Sequence, residues 1–309
     1  MSMMNNGSNN NNKKRKRERL DINSRIAIVG SGLGGLGAAI SLELAGFTNI
    51  TIYERDVSVE ARREAYGLTL SYNPKGALAH MGVLEEVAQQ DCPSRSHYSF
   101  AADGRILSYY GNAFSAGGGG RGQRGNLRLP RQVLRRILLS KVHAPIEFNK
   151  RLVGFTTAQA ESDNDRLTLS FDDGSTQPGI DLLVGADGIR SAVVKHLVPH
   201  DKGLKYLGIF IILGIADYHH SLLDERGFYT LDGNHRLFTM PYQGSRLDGN
   251  KRRIMWQLSY RLESEEEAQR LSAAGPQVLQ QEVLTRCAEW HNPVLKMVQS
   301  TPHKTIWGT

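Results

Sequence analysis

Cysteine is nearly absent: Cys92 and Cys287 are the only two in 309 residues. Two isolated thiols cannot build a secreted disulfide framework, and both read as reduced structural residues. Neither lies in a Cys-x-x-Cys pair or near spaced histidines, so no zinc site is indicated. Long apolar runs are missing too. The longest, Gly208 to Ala216 (GIFIILGIA), has nine residues, about half of what a spanning helix needs, and reads as a buried strand. The N-terminus has no apolar core of the kind a secretory signal carries. There is no Gly-x-Ser-x-Gly elbow, no P-loop and no His-Glu-x-x-His, so no competing catalytic constellation emerges. The dipeptide Gly-Asp does not occur anywhere.

Charge is unbalanced only locally. Lys plus Arg is 38 and Asp plus Glu is 31, a net charge of +7. Residues 13–19 (KKRKRER) supply five of that excess, which leaves the rest near +2. Six of the first twelve residues are Asn. Residues 1–21 therefore read as a disordered Asn-rich and basic tail that solubilises the chain, with nuclear import or polyanion binding as its functional alternative. The chain reads as intracellular and cytoplasmic, or nuclear if the basic run acts.

Order begins near Ile22. Residues 25–30 (RIAIVG) are a short apolar run ending in Gly, the pattern of a buried parallel strand. Gly30 to Gly37 (GSGLGGLG) follows, then a helix with Leu33, Leu36, Ile40 and Leu44 at helical spacing and Gly46 as its cap. A second strand, Ile50 to Glu54, closes one βαβ unit. A helix is expected over 74–90, a hairpin over 98–110 about Asp103-Gly104, and a mobile loop over Gly111 to Gly125. The Arg-Gly composition of that loop is weak evidence for RNA. Residues 131–142 form an amphipathic helix with Leu134, Ile137 and Leu138 inward. Strands flank Asp172-Asp173-Gly174, and another runs from Asp181 to Ala186. Residues 204–260 are strand-rich, and 263–290 are helical with a break at Gly275-Pro276. His219-His220 is expected on a strand, as a surface or structural pair. Trp290-His291-Asn292-Pro293 reads as packing and a turn.

The strongest chemical signal is Gly30-x-Gly32-x-x-Gly35, with Gly34 beside it, at the strand-to-helix turn. The first glycine permits the turn, the second lets backbone approach a pyrophosphate, and the third lets helix and strand pack closely. Phosphates then meet free N–H groups at the helix N-terminus. Glu54 lies 24 residues after Gly30 at the end of the next strand, placed to accept hydrogen bonds from a ribose diol. These parts together indicate a dinucleotide, without separating FAD from NAD.

Arg55 after the acid, Arg128-Leu-Pro-Arg131-Gln-Val-Leu134 and Gly185-Ala-Asp187-Gly188-Ile-Arg190-Ser191 add a resemblance. From about Ile22 to its end the chain resembles the flavoprotein aromatic hydroxylases, the p-hydroxybenzoate hydroxylase family. The resemblance implies an α/β fold: a Rossmann-like FAD/NAD(P)-binding domain with an interleaved, mainly β-sheet substrate domain. It places the FAD-binding domain at 22–92 and 125–200, and the substrate domain at 93–124 and 201–309. It also implies that Gly30, Gly32, Gly34 and Gly35 hold the FAD pyrophosphate and that Glu54, with Arg55, meets the adenosine ribose. Arg131 would contact the phosphate or ribitol region, and Asp187 would tie the Asp-Gly turn to the FAD domain. Arg63 loosely matches a further FAD-contacting arginine. The resemblance makes NAD(P)H and O₂ co-substrates and an apolar or aromatic small molecule the target of hydroxylation or epoxidation, with no protein nucleophile. Phe238, Met240, Pro241 and Trp256 are then pocket or core residues. The alternatives are an FAD-linked dehydrogenase or reductase without oxygen transfer, and a non-catalytic nucleotide-binding paralogue. The family's second flavin signature, a late Gly-Asp, has no match here, so the substrate domain reads as incomplete at its C-terminus.

Overall fold

The computed structural model describes residues 20–61, 66–94, 96–111, 126–157, 166–200, 203–243 and 253–309. The tail through residue 19, Arg63 and residues 112–125 of the glycine-rich loop lie outside the described residues.

Strand β1 (Ile26–Val29) is buried at all four positions, as a strand covered on both faces must be. Helix α1 (Leu33–Leu44) leaves the glycine turn. It closes at Gly46, which takes φ 92° while the Gly46 and Phe47 amides donate to the carbonyls of Glu43 and Leu42. This double bond satisfies two end carbonyls and needs a residue free to adopt positive φ. Leu36 and Ile40 enter the core, whereas Leu44 in the last turn is exposed. Strand β2 (Ile50–Tyr53) completes the unit, and β3 (Gly67–Ser71) follows.

The helix expected over 74–90 is two short ones, α2 (Ala77–His80) and α3 (Leu84–Gln89). Gly82 divides them. Its φ of 70° ends α2 with the same closure, Gly82 and Val83 amides donating to Ala79 and Leu78. Leu84 and Val87 still reach the core beside Leu78 and Met81. Strands β4 (Ser96–Ala101) and β5 (Ile106–Gly111) form the hairpin about Asp103-Gly104. Strand β6 (Asn126–Pro130) pairs with β3 and leads into α4 (Arg131–Leu139).

After β7 (Ile146–Glu147) come β8 (Leu152–Thr157), β9 (Leu167–Phe171), β10 (Thr176–Ile180), β11 (Leu182–Gly185) and α5 (Ala192–Leu197). The rest is β12 (Ile209–Ala216), β13 (Arg226–Leu231), β14 (His235–Gln243), β15 (Arg253–Arg261), α6 (Glu265–Ala273), α7 (Pro276–Arg286), α8 (Val294–Gln299) and β16 (Ile306–Gly308).

These strands make a parallel sheet, β11-β1-β2-β7, and a seven-stranded mixed sheet, β16-β12-β15-β14-β13-β4-β5. A three-stranded sheet, β10-β9-β8, and the β3-β6 ribbon complete the set. The architecture is thus α/β: a Rossmann-like unit joined to a separate mixed-sheet unit. Parallel pairing of β1 with β11 brings Val29 beside Gly185.

One face of the large sheet packs under α6, α7 and α8 through Phe210, Ile212, Phe228, Leu258, Val283 and Met297. Trp256 lies in this core at 0% exposure, its indole N–H donating to Thr301 Oγ1 at 2.8 Å. The opposite face carries Ile215, Met240, Tyr242 and Met255, with Phe238 and Trp307 half-buried against them. That face meets β3, where the Gly67 amide donates to Met255 Sδ at 3.1 Å. Of the four residues expected in pocket or core, Trp256 is core, Phe238 and Met240 are on the face toward the Rossmann-like unit, and Pro241 is half-buried. His219 and His220 are not on a strand. Pairing of β12 with β15 stops at Ala216, and His220 instead accepts the Leu222 amide at 3.2 Å through Nδ1.

Candidate nucleotide-binding site

The glycine turn is shaped by crowding. Gly30 takes φ 101°, and a Cβ there would lie 2.4 Å from the Ala186 carbonyl oxygen. A Cβ on Gly35 would stand 1.8 Å from the Gly30 carbonyl oxygen. Only glycine therefore lets β1, α1 and the β11 corner meet. The first helical bond of α1 is Leu36 N–H to Gly32 O. The amides of Leu33, Gly34 and Gly35 have no carbonyl within the helix to bond. Gly34 is exposed, with nothing within 4 Å of a Cβ, so its contribution is its amide and not close packing.

Glu54 closes β2 and is 1% exposed. Its Oε2 accepts the Ser31 amide at 2.7 Å and the Ser31 hydroxyl at 2.8 Å, and Oε1 accepts the Asp56 amide at 3.1 Å. The acid is thus tied directly to the glycine turn, although 23 residues separate it from Ser31.

Asp187 follows Ala186 at the end of β11. Its carboxylate accepts Ser191 Oγ–H at 2.6 Å and the amides of Ala192 at 2.6 Å and Val193 at 3.3 Å. Ser191 in turn accepts the Val194 amide, so both side chains cap α5. The charge of Asp187 is spent on this helix, while Gly188, at φ 80°, turns the chain away. The tie to the glycine turn is made by backbone: the Ala186 amide donates to Val29 O at 2.9 Å.

A groove of about 770 Å³ runs between these elements. Gly30, Gly32, Glu54, Arg55, Arg131 and Asp187 all line it; Gly34 and Gly35 do not. Sequence reasoning missed Tyr53, Lys150, Arg151, Arg190, Lys195 and His196, which line it as well. Lys150 is engaged with Asp173 at 2.6 Å, and this contact holds the Asp173 carboxyl below the usual range. Arg151 pairs with Asp172 at 3.3 Å. Among the described residues, Arg55, Arg131, Arg190 and Lys195 form no ion pair, so the groove carries cations open to an anion. Burial and then Glu147 raise the Tyr53 hydroxyl, which stays neutral. Donor amides at a helix N-terminus, a buried acid and surplus cations fit the ADP half of a dinucleotide: phosphates on the turn and the ribose toward Glu54.

Arg135 was also missed. It is 1% exposed, and its guanidinium donates to Ser31 O at 3.0 Å, Ser31 Oγ at 2.9 Å and Val59 O at 3.1 Å. The signal was present, since Arg131, Leu134, Arg135 and Leu138 recur at helical spacing on one face.

A parallel βαβ unit with this turn, this acid and a large mixed sheet beside it defines a dinucleotide-binding protein. The chain belongs to the FAD binding domain family, whose model matches residues 23–294. It is 30% identical over 220 residues to the chloroplastic zeaxanthin epoxidase of Spinacia oleracea, covering 69% of this chain and 31% of that protein. It is 29% identical over 196 residues to 6-hydroxynicotinate 3-monooxygenase of Bordetella bronchiseptica, covering 60% of this chain and 45% of that protein. Among solved structures, Klebsiella pneumoniae HpxO complexed with FAD and uric acid aligns with TM-score 0.72 and 21% identity, over 92% of this chain and 67% of that one. The chain spans about a third of the length of the zeaxanthin epoxidases it matches.

Proposed function

We propose that this chain forms the nucleotide-binding and sheet portion of an FAD-dependent monooxygenase, which uses NAD(P)H and O₂ to hydroxylate or epoxidise an apolar or aromatic small molecule. One observation carries the reading: the glycine turn, Glu54 and the Ala186-Asp187 corner converge on a single groove with surplus cations. Residues 22–92 and 125–200 form the FAD-binding unit in this reading, and 93–124 with 201–309 the substrate unit. The turn at Gly30 and Gly32, where α1 begins, receives the pyrophosphate, Arg55 and Arg131 neutralise it, and Glu54 takes the ribose hydroxyls. When bound, FAD would supply the redox chemistry that the nicotinamide and O₂ require. The protein's part is to bind, orient and keep water out. Phe238, Met240, Met255 and Trp307 give the sheet an apolar face toward the Rossmann-like unit, suited to a flat apolar substrate. No side chain is required as a nucleophile.

The test is direct. The purified chain is titrated with FAD while flavin fluorescence is followed, and NAD(P)H oxidation is then measured with candidate aromatic substrates under ¹⁸O₂. Saturable FAD binding and labelled product are expected. Absence of binding overturns the flavin reading, and turnover without label replaces oxygen transfer by dehydrogenation.

A further inference from the structure

The buried Arg135 does more than fill the core, and the inference deepens the FAD reading on which it rests. Its guanidinium forks onto one residue: Nε reaches the Ser31 carbonyl at 3.0 Å, and Nη2 reaches the Ser31 hydroxyl at 2.9 Å. An arginine can only donate. Ser31 Oγ must accept from it, and the single hydroxyl proton is left to point at Glu54 Oε2, 2.8 Å away. The Ser31 amide addresses the same oxygen at 2.7 Å. Two donors on Oε2 fix the plane of the carboxylate. Without Arg135 the hydroxyl could rotate and donate elsewhere, and Glu54 Oε2 would lose one of its two bonds from Ser31. Glu54, Ser31 and Arg135 are exposed by 1%, 0% and 1%, so water does not substitute readily.

We propose that Arg135 is a positioning residue for the nucleotide: through the Ser31 hydroxyl it sets the orientation of Glu54 toward the ribose. Nothing on its own helix explains the three bonds it makes across to the turn and to Val59. Burying a guanidinium is costly unless every bond is used. Two of its bonds meet at Ser31, the residue between the first two glycines of the motif, and another reaches Val59 O.

The experiment measures ADP binding to the 309-residue chain by calorimetry, with FAD fluorescence as a second readout and thermal melting as the control for folding. Arg135→Met should weaken ADP by about 10–100-fold, as removal of supporting partners around a ligand does. Ser31→Ala keeps the fold with little change of volume and should weaken ADP in the same direction. Arg135→Lys, which still offers a donor to Ser31, should recover part of the loss. In a Glu54→Gln background, Arg135→Met should change affinity by less than about threefold, because the two residues act through one path. If Arg135→Met or Ser31→Ala binds ADP as the parent does, the inference fails. It fails equally if the Arg135 effect is as large in Glu54→Gln, since that marks a role in folding alone. A parent chain that binds neither ADP nor FAD removes the flavin reading itself, a distinct outcome.

Discussion

Gly30 and Ala186 touch backbone to backbone, so that a methyl group on the first would stand 2.4 Å from the carbonyl oxygen of the second. The phosphate turn and the Ala-Asp-Gly corner are therefore one structural joint, although, among the described residues, four α-helices and ten strands separate them in the chain.

The joint predicts a graded response among glycines. Gly30→Ala meets both a positive φ and a clash, and should cost roughly 2–6 kcal/mol. Gly188→Ala has open space but φ 80°, and should cost about 1–2 kcal/mol. Gly34→Ala has open space and lies within α1, and should stabilise by up to about 1 kcal/mol. Urea unfolding of the three variants checks the order.

Asp187 anchors α5 through one hydroxyl and two amides. Asp187→Ala should lose about 1–2 kcal/mol, the usual worth of an N-terminal cap. Hydrogen exchange should show the loss concentrated in residues 191–197. Uniform exchange across the parallel sheet would contradict a local capping role.

His97 is 4% exposed, stacked against Tyr110 and Phe238, with no partner for Nδ1. Burial first, and then Arg128, pushes its ring down to about 4. The folded ring stays neutral between pH 6.5 and 4, while the unfolded ring takes up a proton below about pH 6.5. Acidification across that window should favour unfolding by up to about 1.4 kcal/mol per pH unit, and above it His97 should have no effect. His97→Phe should flatten the acid limb of a melting-temperature profile by this one-proton slope.

Cys92 and Cys287 are both buried, and burial pushes each thiol up to about 12. Thiolate is the reactive form. A disulfide reagent should therefore label neither in the folded chain at pH 8 and both after denaturation. Prompt labelling of the native chain would count against this packing.

Trp256 packs between Gly214 and the helices over the large sheet, where a Cβ on Gly214 would meet its ring at 2.3 Å. Trp256→Ala should cost about 3–5 kcal/mol. Measured below its melting temperature, the variant should keep ADP affinity within about twofold, since the groove lies in another sheet.

What could be read from the chain was what is local. The run from Arg25 to Glu54 carries its own strand, turn, helix and acid, and the Asp-Gly pairs at 103–104 and 173–174 mark their hairpins unaided. Gly82 was legible as a breaker, but the apolar spacing of Leu78, Met81, Leu84 and Val87 spoke for one helix, and only the positive φ separates two. The other groove residues were hidden for a different reason. Lys150 and Arg151 follow β7 and Lys195 lies within α5 after β11, and it is the parallel register of β11, β1, β2 and β7 that carries them to the glycine turn. Arg135 was legible as inward-facing from its spacing with Leu134 and Leu138, but its partners Ser31 and Val59 are distant in sequence and were not. The nest around His97 depends on four strands, β5, β4, β13 and β14, meeting in one sheet, which no local pattern encodes.

The order of strands also sets a timetable for synthesis. Strand β1 emerges early, yet its neighbour β11 is encoded about 150 residues later. At ribosomal speed that interval is on the order of ten seconds. Until it passes, the glycine loop lacks the wall formed by Ala186 and has no completed cleft. A nascent chain halted before Gly185 would therefore expose a bare parallel edge and hold no nucleotide, leaving chaperones rather than cofactor to guard it.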